Sequence, residues 1–251
     1  MPYCVYCCEI TSGGESLEHP LPECVGSPIT LPPGGCCNRC NNYFAGKLDQ
    51  AICEHPHLRS LHVYGGVPGK RHRLRSTVVE EKGFRVTYDI RQNHHHIFAS
   101  TKYLKRDGKR LHFNVPGTRG NHSLISRALH KAGLGCLAAM NGCEAALHPR
   151  FHPVRDYIRR PRQAETWPYL QRFVSKPRRQ SELLQLAQAP GRISIEATTG
   201  VVVFDLVVVE FAVALHGDLY RFHPNVVLSL VAAAGRTPAW LLQPRAEWWE
   251  P

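Results

Sequence analysis

The sequence predicts an α+β fold in which a small metal-stabilised module precedes a larger, strand-rich region. Three observations predict it. Cys4-x-x-Cys7 and Cys37-x-x-Cys40 are two knuckles whose spacing aims paired sulfurs at one point. Residues 77–115 and 191–233 read as strands between turn signals, alternating over Phe84–Ile90 and in apolar runs beyond 191. Between them, residues 121–141 hold an apolar stripe at helical spacing.

The two knuckles together supply the four thiolates of a tetrahedral Zn²⁺ site, so Cys4, Cys7, Cys37 and Cys40 are its expected ligands. Cys8 and Cys36 abut the knuckles but lie outside the shared two-residue spacing. A disulfide framework is the competing reading. It needs an oxidising compartment, and nothing in the sequence reads as a secretory signal. Between the knuckles, Leu17 and Pro28-Ile29-Thr30-Leu31 read as the two arms of a β-hairpin. After Cys40, Asn41, Ala45, Leu48 and Ile52 recur on one helical stripe. Hairpin followed by helix is the order of a ββα-metal unit.

Cys4-x2-Cys7, Glu18-His19-x-x-Pro22, Gly26 and Cys37-x2-Cys40-Asn41-x4-Gly46-x2-Asp49 resemble the HNH endonuclease family, in its zinc-knuckle branch. The resemblance covers the first fifth to quarter of the chain. It implies a metal-dependent endonuclease that hydrolyses phosphodiester bonds in DNA. Glu18 and Asn41 would hold one divalent ion, Mg²⁺ or Mn²⁺, and His19 would be the general base. Such chemistry is sound: a hard cation offsets the phosphodiester charge, and a neutral imidazole accepts the proton of water near pH 7. Two positions depart from the family signature. Its middle asparagine, which orients the histidine loop, falls near Thr30 or Leu31, and Thr30 is the available substitute. Its final histidine is absent, leaving Asp49, His55 and His57 as the nearest further metal contacts. Bacterial and phage proteins like these are often linked to phage defence or mobile elements, which is an implication of the resemblance alone. The alternative reading is a non-catalytic zinc-knuckle protein that binds nucleic acid.

The chain has 251 residues, a formal charge of +11 and a pI near 9.3. That length accommodates one large domain or two smaller ones, and the division expected is 1–64 for the nuclease module and 65–251 for an α+β region that positions nucleic acid, oligomerises or regulates. The charge favours a polyanion, with double-stranded DNA the expected partner. A single HNH site cuts one strand at a time, so a double-strand break implies a homodimer or two events. No apolar run approaches the roughly 18 residues of a membrane span. Cysteines without a secretory signal fit a reducing cytoplasm, with Cys24, Cys53, Cys136 and Cys143 expected as buried thiols.

Beyond the module, Lys70, Arg71, Arg73 and Arg75 form a basic run after a Gly/Pro-rich loop. It reads as a DNA-backbone contact, or else as a solvated loop. Strands are expected at Thr77–Val79, Phe84–Ile90 and His95–Ala99, and Asp107-Gly108 marks a hairpin turn. His94, His95 and His96 do not make a metal site, because adjacent strand residues face opposite sides. In the helix at 121–141, Asn121 or Ser123 is the cap, and His130 and Lys131 fall off the apolar stripe toward solvent. A short helix at Val154–Arg159 stops before Pro161. Arginines from Arg155 to Arg179, interleaved with Tyr157, Trp167, Tyr169 and Phe173, read equally as phosphate contacts or as a surface connector. Arg192–Ala197 and Val201–Leu215 form the last hairpin, and Trp240, Trp248 and Trp249 either dock on it or join subunits.

Overall fold

The computed structural model describes residues 2–13, 17–22, 25, 29–55, 58–59, 63, 77–81, 83–89, 91–92, 94–113, 121–160, 167, 169–173, 192–196, 200–206, 209–215 and 247–249. The basic run Lys70 to Arg75 lies outside them, as do Gly26, Pro28, His57 and Trp240.

Helix α1 (Asn38–Cys53) starts directly on the second knuckle, with Cys37 at its cap position. Its buried face is Cys40, Phe44, Leu48 and Ile52, a repeat of four that keeps one side of a helix. The expected stripe through Asn41 and Ala45 is displaced by one residue. Ala45 is exposed and Phe44 is buried, because the ring removes far more apolar area from water than a methyl group. Tyr6 packs edge-on against Phe44 with ring centres 4.7 Å apart.

Helix α2 (His122–Asn141) begins where the Asn121 side chain accepts the Leu124 N–H at 3.1 Å. Every residue from Ile125 to Ala138 is buried. A one-sided stripe does not account for that. The helix packs on α1, on the short α3 (Cys143–Leu147) and α4 (His152–Arg159), and on the strand Val209–Ala214. His130 and Lys131 are therefore wholly buried rather than solvent-facing. Amphipathic reasoning assigns a helix one wet face, and α2 has none along these turns.

Two glycines allow this enclosure. A Cβ at Gly133 would meet Leu215 Cδ2 at 3.0 Å and Val202 Cγ2 at 3.3 Å. A Cβ at Gly135 would collide with the Tyr6 hydroxyl and sit 2.9 Å from Pro20 Cβ. Two residues apart on a helix is roughly 200°, so the glycines admit opposite neighbours.

The strands form three antiparallel sheets among the described residues. β1 (Thr77–Glu81), β2 (Phe84–Asp89) and β3 (His94–Ala99) pair in that order. β4 (Leu104–Asp107) and β5 (Arg110–Phe113) make a separate ribbon around the Asp107-Gly108 turn, as expected. β6 (Tyr169–Phe173), β7 (Arg192–Glu196), β8 (Val201–Asp205), β9 (Val209–Ala214) and β10 (Glu247–Trp249) run in the order β10-β6-β9-β8-β7. The expected single arm Val201–Leu215 is two strands, closed by Leu206 N–H donating to the Val209 carbonyl at 3.0 Å. Trp248 and Trp249 lie on β10, paired with Leu170 and Tyr169, so this end of the tail joins the sheet.

Between the knuckles, the described residues of the expected hairpin carry no strand. One backbone bond, Leu31 N–H to the Glu18 carbonyl at 2.9 Å, joins its two sides. A single buried core then runs from Cys4 and Tyr6 through α1, α2 and α4 to Val202, Phe211 and Leu215. It holds side chains from both sides of the expected 64/65 boundary. Val63, Val78 and Tyr88 make a smaller core under the β1–β3 sheet. Arg155, a candidate phosphate contact by sequence, is buried instead. Its guanidinium donates to the carbonyls of Ala146 at 2.8 Å and His148 at 3.5 Å, completing the end of α3. No helix among the described residues is long and apolar enough to cross a membrane.

The approach of Tyr6 and Pro20 to α2 gives a test. Gly135→Ala should lower stability by about 1–3 kcal/mol despite alanine's higher helix propensity, because the methyl has no room. Adding Tyr6→Phe, which removes the colliding hydroxyl, should recover part of that loss in thermal unfolding.

Candidate functional site

Backbone chemistry builds the first knuckle. Cys4 N–H donates to the Glu9 carbonyl at 2.9 Å, and Cys8 N–H returns to the Cys4 carbonyl at 2.8 Å. Cys8 closes that turn at φ 59°, a left-handed conformation that a side chain adopts at a cost. Val5 N–H donates to the Gly35 carbonyl at 2.9 Å and ties this loop to the approach of the second knuckle. The second knuckle is the first turn of α1, where Asn41 N–H donates to the Cys37 carbonyl at 3.0 Å.

The result is a four-sulfur cluster. The sulfurs of Cys4, Cys7, Cys37 and Cys40 all lie within 4.8 Å of one another, and Cys7 and Cys37 are 3.7 Å apart. Zinc–sulfur bonds of about 2.3 Å place tetrahedral sulfurs about 3.8 Å apart, so the set fits Zn²⁺. Cys4 is held well below the ordinary thiol range, first by the Cys36 thiol and then by that of Cys40. Burial pushes Cys7 up to about 11. Cys36 is buried beside it and its Sγ donates to the Cys37 carbonyl at 3.5 Å, while Cys8 is exposed. Cys53, expected as a thiol, is disulfide-bonded. A reducing compartment does not favour that bond.

Below the cluster lies a second charged centre, which the sequence reading did not anticipate. Lys131, on α2, carries its ammonium into the module with no exposure of its side chain. It is ion-paired with the Glu18 carboxylate and, at 3.0 Å, with Asp49 Oδ1 on α1. It also donates to the backbone carbonyls of His19 at 3.0 Å and Pro20 at 3.2 Å. Burial alone would drive Lys131 toward neutrality, but the two carboxylates outweigh it and its pKa ends raised. Burial pushes Glu18 up to about 7, against the pull of Lys131. Glu18 therefore holds its proton more tightly folded than unfolded. Its contribution to stability declines as pH rises from about 4.5 to about 7.

The predicted site residues fall as follows. Glu18 is buried in the ion pair, and His19 is half-buried directly beside it. Asn41 is half-buried in the first turn of α1, and Thr30 is half-buried next to Leu31. Asp49 lies eight residues beyond Asn41, about 12 Å along the helix axis. Glu18 meets Lys131 at the Asp49 end. His55, a further candidate, is buried instead with Nε2 3.2 Å from Gln171 Oε1 and its ring edge-on to Phe211. His130 is wholly buried, and burial lowers its pKa to about 4, so it is a neutral core group. His94, His95 and His96 are exposed on β3, with His95 across from Tyr88 and away from the other two.

Lys131 is the residue that sequence reasoning missed. Its one signal was a lysine within a helix of mostly apolar residues, in a chain that also carries Glu18 and Asp49. Comparison with protein families, with characterised proteins and with solved structures finds no match to this chain.

Two predictions follow from the paired centres. Purified protein should carry one zinc per chain by metal analysis, lost in Cys37→Ser and retained in Cys8→Ser and Cys36→Ser. Lys131→Met should cost roughly 3–5 kcal/mol, because it strands two carboxylates in the interior. Its deficit against the wild type should narrow between about pH 8 and about pH 5 in thermal melts, as Glu18 takes up its proton.

Proposed function

We propose that the protein is a metal-dependent endonuclease of the HNH type, built on the zinc knuckles, that hydrolyses phosphodiester bonds in DNA. The observation that carries this reading is the convergence of Cys4, Cys7, Cys37 and Cys40. The same spacing motifs embed Glu18-His19 and Asn41. In this reading His19 takes the proton from the attacking water. Glu18 and Asn41 hold a divalent ion, Mg²⁺ or Mn²⁺, which would offset the charge of the scissile phosphate. The loop bearing His19 needs a support that the absent middle asparagine does not give. The Lys131 ammonium supports it by gripping the carbonyls of His19 and Pro20. Lys131 is thus a positioning residue. The basic charge agrees with a nucleic-acid enzyme.

A second reading is a zinc-knuckle protein that binds nucleic acid without cutting it. It is favoured by the ion pair itself: Glu18 already has a countercharge in Lys131. An ion held by Glu18 competes with the ammonium for that carboxylate, since hard-cation ligands sit within about 2.1–2.6 Å of the ion.

Plasmid cleavage separates the two. The expected result is nicking of supercoiled DNA with Mg²⁺ or Mn²⁺, abolished by EDTA and by His19→Ala. Salt-sensitive DNA binding with no cleavage under any metal would favour the binder. Cleavage that survives in His19→Ala would remove His19 as the base.

A further inference from the structure

Residues 101–113 form an arm outside the main core. A short helical turn at Thr101–Tyr103 leads into the β4–β5 ribbon. From 102 to 112 it carries Lys102, Lys105, Arg106, Lys109 and Arg110 against the single acid Asp107, a formal charge of +4. All of these residues are exposed, and so is His112. Among the described residues, no ion pair engages any of the five basic side chains, whereas Arg39 and Arg85 are paired with Glu9 and Glu80.

The base of the arm is anchored. Ser100 N–H donates to the Gly83 carbonyl at 2.7 Å, and the Tyr103 ring packs edge-on against buried Phe84 with centres 5.5 Å apart. Gly83, at φ +82°, lies under Ser100, where a Cβ would be 3.1 Å from its hydroxyl. The ribbon therefore projects from a packed sheet.

Register divides its charges. Lys105 pairs with His112 and Asp107 with Arg110, so these four share one face. Arg106 pairs with Leu111 on the other, and its Nε donates to the Gly108 carbonyl at 3.1 Å, over the turn. Lys109 sits in the turn itself. Unpaired cations thus occupy the tip and one face of a narrow two-stranded element. The B-form major groove is about 12 Å wide and admits a two-stranded ribbon with phosphates along both walls. An A-form RNA duplex has a deep, narrow major groove that excludes it.

We propose that the β4–β5 ribbon is a DNA-docking element that enters the major groove of double-stranded DNA, with Lys105, Arg106, Lys109 and Arg110 on its phosphates. This deepens the nucleic-acid reading above by naming the surface, and it holds whether or not the protein cuts. Lys102 lies over the Tyr103 ring at 4.5 Å and is placed at the edge of the contact.

The test uses the full chain carrying His19→Ala, without added divalent ion, so that cleavage plays no part. Binding to a short labelled DNA duplex is measured across a salt series, beside the same chain with Lys105, Arg106, Lys109 and Arg110 changed to Ala. These positions are exposed, so zinc content and circular dichroism should be unchanged. The expected result is a loss of roughly 10- to 100-fold in affinity and a salt slope shallower by about 3. An RNA duplex of the same sequence should bind more weakly and respond less to the substitutions. Unchanged DNA affinity and slope in the variant would overturn the proposal. So would an equal loss on DNA and RNA, or a ribbon needed for anionic vesicles but not for DNA. Failure of cleavage with intact ribbon-dependent binding would reject the nuclease and leave the ribbon standing.

Discussion

One buried ammonium holds the two halves of this molecule in register. Lys131 rises from the middle of α2 and reaches the Glu18 carboxylate, the carbonyls of His19 and Pro20, and Asp49 on α1. Taking an ammonium out of water costs several kcal/mol, and only partners on every donor offset it. Here they come from the inter-knuckle loop and from α1. Neither segment is adjacent to α2 in sequence. The ion pair is satisfied in one arrangement of the three segments, so it selects that arrangement. The close seating of Tyr6 and Pro20 over Gly135, one turn further on, depends on the same alignment.

The four-sulfur cluster and Lys131 divide the work of shaping the site. The four sulfurs fasten the first loop to the start of α1, through bonds of short reach. Among the described residues, the backbone bond from Leu31 to Glu18 ties the Glu18 side of the inter-knuckle loop to its return side. Lys131 supplies the remaining constraint at the residues that flank His19. The arrangement also makes Glu18 the point of greatest tension in the module. The carboxylate is desolvated, carries a pKa near 7, and serves as counter-ion to a lysine that the fold needs. Any ion that recruits Glu18 competes with that lysine.

Much of the architecture was readable because it is local. The knuckle spacing, the Asn121 cap, the Asp107-Gly108 turn and the strands of β1–β3 each depend on a few neighbouring residues, and each appears where expected. The α1 stripe was displaced by one position because periodicity alone ranks Ala45 and Phe44 by phase and not by size. Of the candidate site, the sulfur cluster was legible. The partner of Glu18 was not, since a charged residue in a helix reads as solvent-facing unless something covers it. Arg155 was misjudged for the same reason: its partners are the carbonyls of Ala146 and His148, which composition does not reveal.

By itself, the sequence determined which residues are chemically equipped to act: four paired thiols, a carboxylate–histidine pair, an asparagine after the last cysteine, and an excess of positive charge. These follow from side-chain chemistry and spacing within a turn or two. Only the tertiary structure decided how they are partnered. It enclosed α2 on every side along Ile125–Ala138, which turned Lys131 from a surface charge into the counter-ion of Glu18 and Asp49. It left the four basic residues of the β4–β5 ribbon exposed and, among the described residues, outside any ion pair. Burial and long-range pairing depend on which distant segments pack together, and no short stretch of the chain encodes that alone.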